Sequence, residues 1–490
     1  MRLNCCCLFS ELLDRIEEEI MNEPSRMYLL WFAHEHVDFR GAEIDSILSL
    51  FGISSEDFKA IERFDDKPYW IVECQKESTI QTIASRAVSL RYCIELYVRE
   101  RDFTSVHAAL RKIPRQRWDK HARKDRTFRI VVETFCKHIS QSEKIEKIES
   151  FNYLQIEGQV RLNNPDVSFY YMEYYGMKPD AHTENPEELF FGRLVATGQR
   201  ELIQKLSLKT RKFIGTTSMD PQLSLLMANQ AQVKSGDIVL DPFVGTGSLL
   251  VAAALFDGYI LGTDIDFMML HARTRPTRIT QKKRSSDESV AANVKQYGKE
   301  AYYLDVVVSD FSQPLWRSDM RVNAIITDPP YGVREATERI GTSKPNPTID
   351  ETQAAAHIPS KIDYNLPHMY KDIMKFAARH LEINGKLVCW FPVYREYYCE
   401  DQLPTHPCLK MIANSEQIMS NHASRRLLTY TKLREPQEND VVSTMNILDF
   451  REMYFALRDE SRREKRMKKA AERAQNKAEW ERRSRESTER

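Results

Sequence analysis

The sequence lacks the composition that marks several protein classes. Its 490 residues hold 71 lysines and arginines and 71 aspartates and glutamates, so no net charge points to a nucleic-acid partner and such contacts must use local patches. Nine cysteines form no Cys-x-x-Cys pair and no His/Cys metal spacing, which argues against a zinc site and a disulfide scaffold. No apolar run is long enough to span a membrane.

The two ends of the chain lack the features of a folded core. Residues 1–26 hold a short apolar patch with three consecutive cysteines, followed at once by acids, unlike a secretory or mitochondrial leader. We expect an extension there, with cysteine lipidation as the alternative. Residues 436–490 end in a nearly all-charged run and predict a solvated tail rather than an RNA-binding arm. Cysteines in apolar runs, such as Cys389, favour a reducing compartment, so a cytoplasmic location is expected.

The rest of the chain has three parts and a connection. Residues 27–100 and 101–185 each predict a small α+β unit. Residues 186–220 are expected to be a linker. From 221 to 435 strands alternate with helices, which is typical of a doubly wound parallel sheet. Its strands are predicted at 237–241, 259–263, 304–308, 322–327 and 385–391.

A basic stretch opens the second α+β unit. Residues 111–126 are dense in arginine and lysine around one tryptophan, a composition that suits contacts to RNA phosphates. For any single residue here a solvated loop is an equal alternative. The residues predicted to contact RNA are Arg115, Arg117, Trp118, Lys120, Arg123 and Lys124.

The third part begins with a strand, a glycine loop, a helix and a second strand. Asp241 ends the first strand, and Asp264 ends the second, where a carboxylate can accept both ribose hydroxyls of a nucleoside. Gly245 and Gly247 let the backbone approach a ligand closely. The third glycine of the dinucleotide fingerprint is missing and no phosphate-loop lysine follows, which favours a nucleoside without a pyrophosphate.

Two further residues are assigned to this predicted cofactor site. Asp310 comes at the end of the third strand, where it suits an adenine amine. Thr246 lies between the two glycines of the loop. The alternative is a Rossmann-like domain whose glycines are only structural, but the joint spacing of the acids and glycines disfavours it.

The segment "NAIITDPPYG", residues 323–332, ends a strand with two prolines that cannot donate to a sheet ladder. Together with "DPFVGTGS" it resembles the amino-methyltransferases that use S-adenosylmethionine. The resemblance implies that the carboxylate of Asp328 and the carbonyl of Pro329 accept the hydrogens of an exocyclic amine and orient its nitrogen. Pro330 completes the motif, and Tyr331 can stack on the base. The polar residues 333–365 are expected to form a loop near this site.

Longer stretches carry a closer resemblance. "FRIVVETF", "SLKTRKFIGTTSMDPQLSLLMANQA" and "HASRRLLTY" are similar to the catalytic subunits of eukaryotic tRNA (guanosine-10 N2) methyltransferases, over about residues 27–435. The resemblance implies an α/β Rossmann-like class I methyltransferase domain preceded by α+β ferredoxin-like and THUMP units. It also implies S-adenosylmethionine as cofactor, the N2 amine of guanosine in tRNA as target, and a heterodimer with a small zinc-containing activator subunit.

Two other functions stay open from the residues alone. One is an amino-methyltransferase acting on DNA or protein, although the basic N-terminal units favour structured RNA. The other is a non-catalytic RNA-binding scaffold, although the intact acids argue against a decayed site. The apolar third strand, residues 303–308, should lie at a sheet edge, where we expect the activator to pair. Shielding of that edge by the chain itself is the alternative.

Overall fold

The computed structural model describes residues 25–178, 184–313, 315–343, 359–443, 450–456 and 467. The chain divides into two compact units between Ser207 and Leu208. Almost all of the predicted N-terminal extension and most of the charged run at the other end lie outside the described residues. Among those described, no helix combines the length and the apolar character needed to cross a membrane.

The first unit is built on one seven-stranded sheet. Its strands are β1 (Arg26–Phe32), β2 (Phe58–Arg63), β3 (Tyr69–Cys74), β4 (Leu90–Glu100), β5 (Phe128–Phe135), β6 (Val167–Tyr174) and β7 (Glu188–Thr197). Its helices are α1 (Arg40–Leu50), α2 (Glu77–Ala84), α3 (Phe103–Lys112), α4 (Gln141–Glu149) and α5 (Arg200–Lys205). The strand order is β2-β3-β1-β4-β7-β6-β5, and only β5 and β6 pair in parallel.

Both faces of this sheet are covered, as β1 illustrates. Its alternate side chains point to opposite faces, so Leu30 and Phe32 pack in one core while Leu29 and Trp31 pack in another. This explains why the strand reads as one continuous apolar run. Helix α4 has a clear start, since Ser140 forms a capping box with the third helical residue.

The first unit differs from the sequence prediction in two respects. The predicted linker at residues 186–220 contains β7, an interior strand that pairs with β4 and with β6. The side chains of Phe190 and Phe191 on this strand are both buried. In addition, the two predicted α+β units share one sheet, since β4 pairs with β1 on one side and with β7 on the other. Their boundary near residue 100 is therefore a change of sheet neighbour rather than a break.

The second unit has a doubly wound sheet. Its strands are β8 (Ile238–Asp241), β9 (Tyr259–Asp264), β10 (Tyr303–Val308), β11 (Val322–Thr327), β12 (Glu338–Ile340), β13 (Lys361–Asp363), β14 (Leu381–Tyr394), β15 (Leu409–Ile418) and β16 (Ala423–Lys432). Its helices are α6 (Pro221–Gln230), α7 (Ser248–Leu255), α8 (Phe267–Leu270), α9 (Val290–Gln296) and α10 (Leu366–His380). All five predicted strands are confirmed.

The order of the main sheet is β10-β9-β8-β11-β14-β16-β15. The first five strands are parallel, and β16 and β15 are antiparallel to their neighbours. The strand order reverses between β8 and β11, so their carboxyl ends flank the crevice where open α/β sheets bind ligands. The expected Rossmann-like fold is confirmed.

Two predictions at the edges of the second unit need correction. The predicted loop at residues 333–365 contains β12 and β13, which pair with each other, while residues 344–358 lie outside the described part. The predicted tail at 436–490 is folded near its start. Phe450 is buried, and its ring lies 4.9 Å from that of Tyr394. Burial of this aromatic side chain holds residues 450–456, which are helical, against the unit.

Candidate active site

Four aspartates lie at the carboxyl ends of four strands of the doubly wound sheet. Asp241 and Asp264 end β8 and β9, Asp328 follows β11 directly, and Asp310 comes two residues after β10. They line two cavities of about 390 and 320 Å³, called here the larger and the smaller cavity. Asp241 lines the larger cavity, Asp264 and Asp310 line the smaller one, and Asp328 lines both. The parallel topology thus brings together acids that are far apart in sequence.

The glycine loop after β8 leaves room beside the larger cavity. Gly245 has a φ of +49°, and a Cβ built on it would meet no atom within 4 Å. Gly247 has a φ of +76°, and its Cβ would lie 2.4 Å from the side chain of Val290. The space at Gly245 would let a ligand approach the backbone closely, whereas Gly247 permits close packing against α9. Between them, Thr246 lies within 2.6 Å of the Ser218 hydroxyl, and both line the larger cavity.

Backbone amides fix the two carboxylates of the smaller cavity. Asp264 accepts hydrogen bonds from the amide of Gly245 at 2.8 Å and from that of Asp266 at 2.9 Å. Burial raises the pKa of Asp264. Asp310 accepts from the amides of Ser312 at 2.8 Å and Ile340 at 2.7 Å. Each carboxylate oxygen has further acceptor capacity, so both side chains can still receive ligand hydroxyl or amine groups.

Asp241 is 1% exposed, so its carboxyl group is buried in the site. One of its oxygens accepts from the Thr327 hydroxyl at 2.8 Å and from the Phe243 amide at 3.1 Å. Burial, with smaller contributions from the carboxylates of Asp264 and Asp328, raises the pKa of Asp241 from its usual value to about 8. A cation in the larger cavity would therefore favour its ionised form.

Asp328 of the Asp-Pro-Pro-Tyr motif is held by two partners. The Tyr331 hydroxyl donates to one carboxylate oxygen, and Arg425 donates to the other at 3.1 Å. Burial raises the pKa of Asp328, and the guanidinium of Arg425 opposes that rise. Tyr331 also accepts a hydrogen bond from Arg425 at 2.9 Å. Asp328, Tyr331 and Arg425 therefore form one hydrogen-bonded cluster, and all three line the larger cavity.

Arg425 is the functional candidate that sequence reasoning missed. It lies on β16, and its guanidinium is 3.9 Å from the centre of the Trp390 ring. A signal was present in "HASRRLLTY", because successive residues of a strand point to opposite faces. Of the adjacent Arg425 and Arg426, one must therefore turn towards the inside of the unit.

Two family models match the chain. The model of the Tmrp11 THUMP N-terminal domain matches residues 26–200, and that of the RMKL-like methyltransferase domain matches residues 209–343. Similar proteins extend across both regions. The tRNA (guanine(10)-N(2))-methyltransferase TRMT11 of Bos taurus is 43% identical over 88% of this chain and 95% of its own length. Its counterpart of the same name in Dictyostelium discoideum is 31% identical over 86% of this chain and 84% of its own.

The chain belongs to the TRMT11 family. The resemblance found in the sequence is therefore confirmed. Among solved structures, TrmN from Thermus thermophilus is similar with a TM-score of 0.41 and 15% identity, over 83% of this chain and 100% of that chain. SMU.472, a putative methyltransferase complexed with SAH, has a TM-score of 0.41 and 9% identity, over 84% of this chain and 99% of that chain.

In this TRMT11-family chain, the predicted RNA-contacting stretch of the first unit is partly neutralised. The prediction that Trp118 contacts RNA is wrong. This residue is 8% exposed and packs in the core, with its ring 5.9 Å from that of Tyr97. Its large apolar ring is buried rather than offered to a base. Arg115 pairs with Asp119 at 3.0 Å and also with Glu157.

The other four residues of this stretch fall into two groups. Arg123 pairs with Asp125, two residues further along the chain, at 2.9 Å, and Arg117 donates to the carbonyl of Leu96 at 3.1 Å. Lys120 and Lys124 are exposed. These two lysines are the members of the predicted patch whose charge is best placed for phosphate contact.

A separate group in the second unit has the donor types of a metal site. His406, Cys408 and Asp440 offer ligand atoms within 4.8 Å of one another. Arg434 already donates to both oxygens of Asp440, at 2.9 and 2.6 Å, and to the sulfur of Cys408 at 3.4 Å. Burial raises the pKa of Cys408 to about 11, which favours its thiol form. Since a guanidinium supplies the positive charge here, we assign no metal to this group.

Proposed function

We propose that this chain transfers a methyl group from S-adenosylmethionine to the exocyclic N2 amine of a guanosine in tRNA, guanosine-10 in the numbering of its relatives' names. The observation that carries the proposal is the position of Asp328. This side chain lines both the smaller cavity, where two further acids suit a nucleoside, and the larger cavity with Pro329 and Tyr331. A methyl donor and a methyl acceptor can therefore meet at one carboxylate.

The residues present fit the cofactor. S-adenosylmethionine supplies a methyl group bound to a positively charged sulfur. In the smaller cavity, Asp264 can accept the ribose hydroxyls and Asp310 the adenine amine, because both have acceptor capacity beyond their backbone partners. The open space at Gly245 lets the backbone approach the ligand. The acids at the strand ends suit a cationic ligand.

Catalysis is then mainly a matter of orientation. The lone pair of an exocyclic amine is delocalised into the base, so the nitrogen must be aligned to attack the methyl carbon. Asp328 and the carbonyl of Pro329 can accept the two amine hydrogens and fix that alignment. As the nitrogen–carbon bond forms and the carbon–sulfur bond breaks, positive charge develops on nitrogen, and the Asp328 carboxylate stabilises it and is placed to take the released proton.

The proposal is tested by methyl transfer from labelled S-adenosylmethionine into undermodified tRNA, followed by mapping of the product base. DNA and protein substrates run in parallel address the first alternative. Asp328→Asn should abolish transfer, while Asp319→Asn, an exposed acid of the same unit, should not. Binding of the cofactor without transfer to any tRNA would support the scaffold alternative and contradict the proposal.

We further propose that a small zinc-containing activator subunit pairs along β10. Among the described residues, β9 is the only strand paired with β10, so one side of β10 is open to a partner strand. Leu304 and Val308 are 48% and 39% exposed. The amide of Val306 donates to the side chain of Asp305 at 2.8 Å, a local bond that a partner strand would replace.

The exposed side chains of Leu304 and Val308 provide the test. Leu304→Lys combined with Val308→Lys should abolish co-purification with the activator and lower solubility of the chain on co-expression. Ile412→Lys is the matched control, because Ile412 is a 44% exposed apolar residue on β15 at the opposite edge of the same sheet. Equal loss of co-purification in both variants, or a fully active chain without any partner, would contradict the proposal that the activator pairs along β10.

We also propose a cytoplasmic location. The six cysteines among the described residues are all free thiols, in keeping with a reducing compartment. Cell fractionation of the tagged chain, with markers for cytoplasm and organelles, tests the proposal. Recovery with a membrane or organelle fraction would contradict it.

A further inference from the structure

Arg425 has hydrogen-bonding capacity that its protein partners do not use well. Its Nε donates to the Gln417 side chain at 2.7 Å, and one terminal nitrogen donates to Asp328 and Tyr331. The other terminal nitrogen, Nη2, lies 3.4 Å from the sulfur of Met219. A thioether is a weak acceptor, so Nη2 would gain from a better one. Arg425, Met219 and Gln417 all line the larger cavity.

The guanidinium is also held in place. It stacks over the ring of Trp390 at 3.9 Å, and its side chain is 13% exposed. Because Arg425 and Gln417 are direct cross-strand partners on β16 and β15, the bond between them fixes the guanidinium plane. A donor that is buried, oriented and poorly satisfied next to a catalytic carboxylate is suited to recognise an acceptor on the substrate.

Guanine presents the complementary pattern on one edge. Its N2 amine and N1–H are donors, and its neighbouring O6 is an acceptor. Adenine, and 2,6-diaminopurine as well, have an unprotonated N1 and an amine donor at position 6. A carboxylate can accept from the N2 amine and N1–H of guanine while a neighbouring guanidinium donates to O6. With either of the other two bases, the carboxylate would face the unprotonated N1 and the guanidinium would face the amine at position 6, so buried groups would be left unpaired or opposed.

We propose that Arg425 is a specificity-determining residue that donates from Nη2 to the O6 of the target guanine while Asp328 accepts from its N2 amine and N1–H. The inference rests on the proposed function and adds how the base is recognised. It assigns two tasks to one side chain. Arg425 holds the carboxylate of Asp328 in place through Nη1, and it reads the base through Nη2.

The test compares tRNA carrying guanosine at the target position with tRNA carrying 2,6-diaminopurine there, each opposite a base that pairs with it. Both bases keep the amine at position 2. The wild type should favour guanosine in kcat/KM by about 100-fold or more, because the analogue leaves buried groups unpaired. Arg425→Lys keeps a positive charge near Asp328 but cannot make both contacts, so that preference should fall by at least about 10-fold.

Arg426→Lys is the matched control. It changes the neighbouring residue of the same strand, whose guanidinium lies 4.0 Å from the Tyr398 ring and 3.7 Å from a Glu416 oxygen. Its preference for guanosine should equal that of the wild type. Calorimetric titration with S-adenosylmethionine should give a wild-type affinity for both variants. If Arg425→Lys does not fold, Arg425→Gln, which keeps an amide donor, replaces it in the same comparison.

The outcomes separate the two proposals. A wild type that transfers no methyl group to any tRNA refutes the proposed function. A wild type that methylates guanosine, together with an Arg425 variant that retains the full preference over 2,6-diaminopurine, refutes the role of Arg425 and leaves the proposed function standing. A merely structural role would lower the rates for both bases equally and would leave their ratio unchanged.

Discussion

Replacing Asp241 by asparagine should stabilise the ligand-free protein and weaken its binding of S-adenosylmethionine. The carboxyl of Asp241 has its pKa raised to about 8 by burial. Keeping it protonated at neutral pH has a free-energy cost, because the same group in the unfolded chain is ionised. At about 1.36 kcal/mol per pH unit, the roughly 3 units between its ordinary pKa and pH 7 amount to at most about 4 kcal/mol. Asparagine can keep the accepting oxygen for Thr327 and Phe243 without this cost.

The sign of the pH dependence follows from proton binding. Between the unfolded pKa near 3.8 and the folded pKa near 8, the folded chain holds a proton on Asp241 that the unfolded chain has released. The contribution of this group to stability therefore decreases as pH rises through that window and is constant above it. The advantage of Asp241→Asn should be small near pH 4, grow towards pH 8 and then stay level.

Urea unfolding of the wild type and of Asp241→Asn, without ligand and at pH values from about 5 to about 8.5, measures this advantage. We expect the variant to be more stable by about 2–4 kcal/mol near pH 7. In calorimetry its affinity for S-adenosylmethionine should be lower, because a cationic ligand favours a carboxylate. Asp319→Asn, on the surface beside Arg317, should show no such pH trend. A stability difference for Asp241→Asn that is independent of pH would refute the reasoning.

The remaining predictions concern binding and turnover. Asp264→Ala should weaken S-adenosylmethionine binding by about 1.5–3 kcal/mol, the value of a hydrogen bond to a charged group; an unchanged affinity in a calorimetric titration would remove Asp264 from the site. Asp328→Ala should abolish turnover and leave cofactor affinity within a few-fold, and a wild-type rate would exclude it from the mechanism. Reversing the charge of Lys120 and Lys124 together should weaken tRNA binding and flatten its salt dependence. If the tRNA affinity and its salt dependence both stay unchanged in a filter-binding titration, these lysines do not contact tRNA.

The strand ends of the second unit could be predicted because local pattern and topology agree there. Each parallel strand is an apolar run that an acid follows or ends, and a doubly wound sheet places such ends at one edge. Asp241, Asp264 and Asp328 could therefore be grouped from sequence. Arg425 could not, because its contact with Asp328 joins residues 97 positions apart. Its strand is antiparallel to the rest, so nothing in its spacing relates it to the motif.

For the basic stretch, in contrast, the sequence predicted too many functional residues, because composition alone suggested RNA contacts that the fold does not permit. A tryptophan among arginines and lysines has the residue types of an RNA contact, yet sequence does not show which way its ring points. In the folded unit the ring of Trp118 fills the core beside Tyr97. Likewise, Glu157 is distant in sequence from Arg115 but pairs with it in the structure. Local charge is therefore a poor guide to the net charge of a surface that several chain segments build.

The charge balance of the active site suits a reaction that removes a positive charge. Three carboxylates, of Asp241, Asp264 and Asp328, lie close enough to raise the pKa of the first, and Arg425 is the cation paired with the third. When the site holds no ligand, burial disfavours the ionised forms of these groups, and the neighbouring carboxylates add to that cost for Asp241. A cationic methyl donor offsets this cost when it binds. After transfer its sulfur is neutral, so the same carboxylates hold the product less tightly than the cofactor. The destabilised site thus contributes both to capture of the methyl donor and to release of what remains of it.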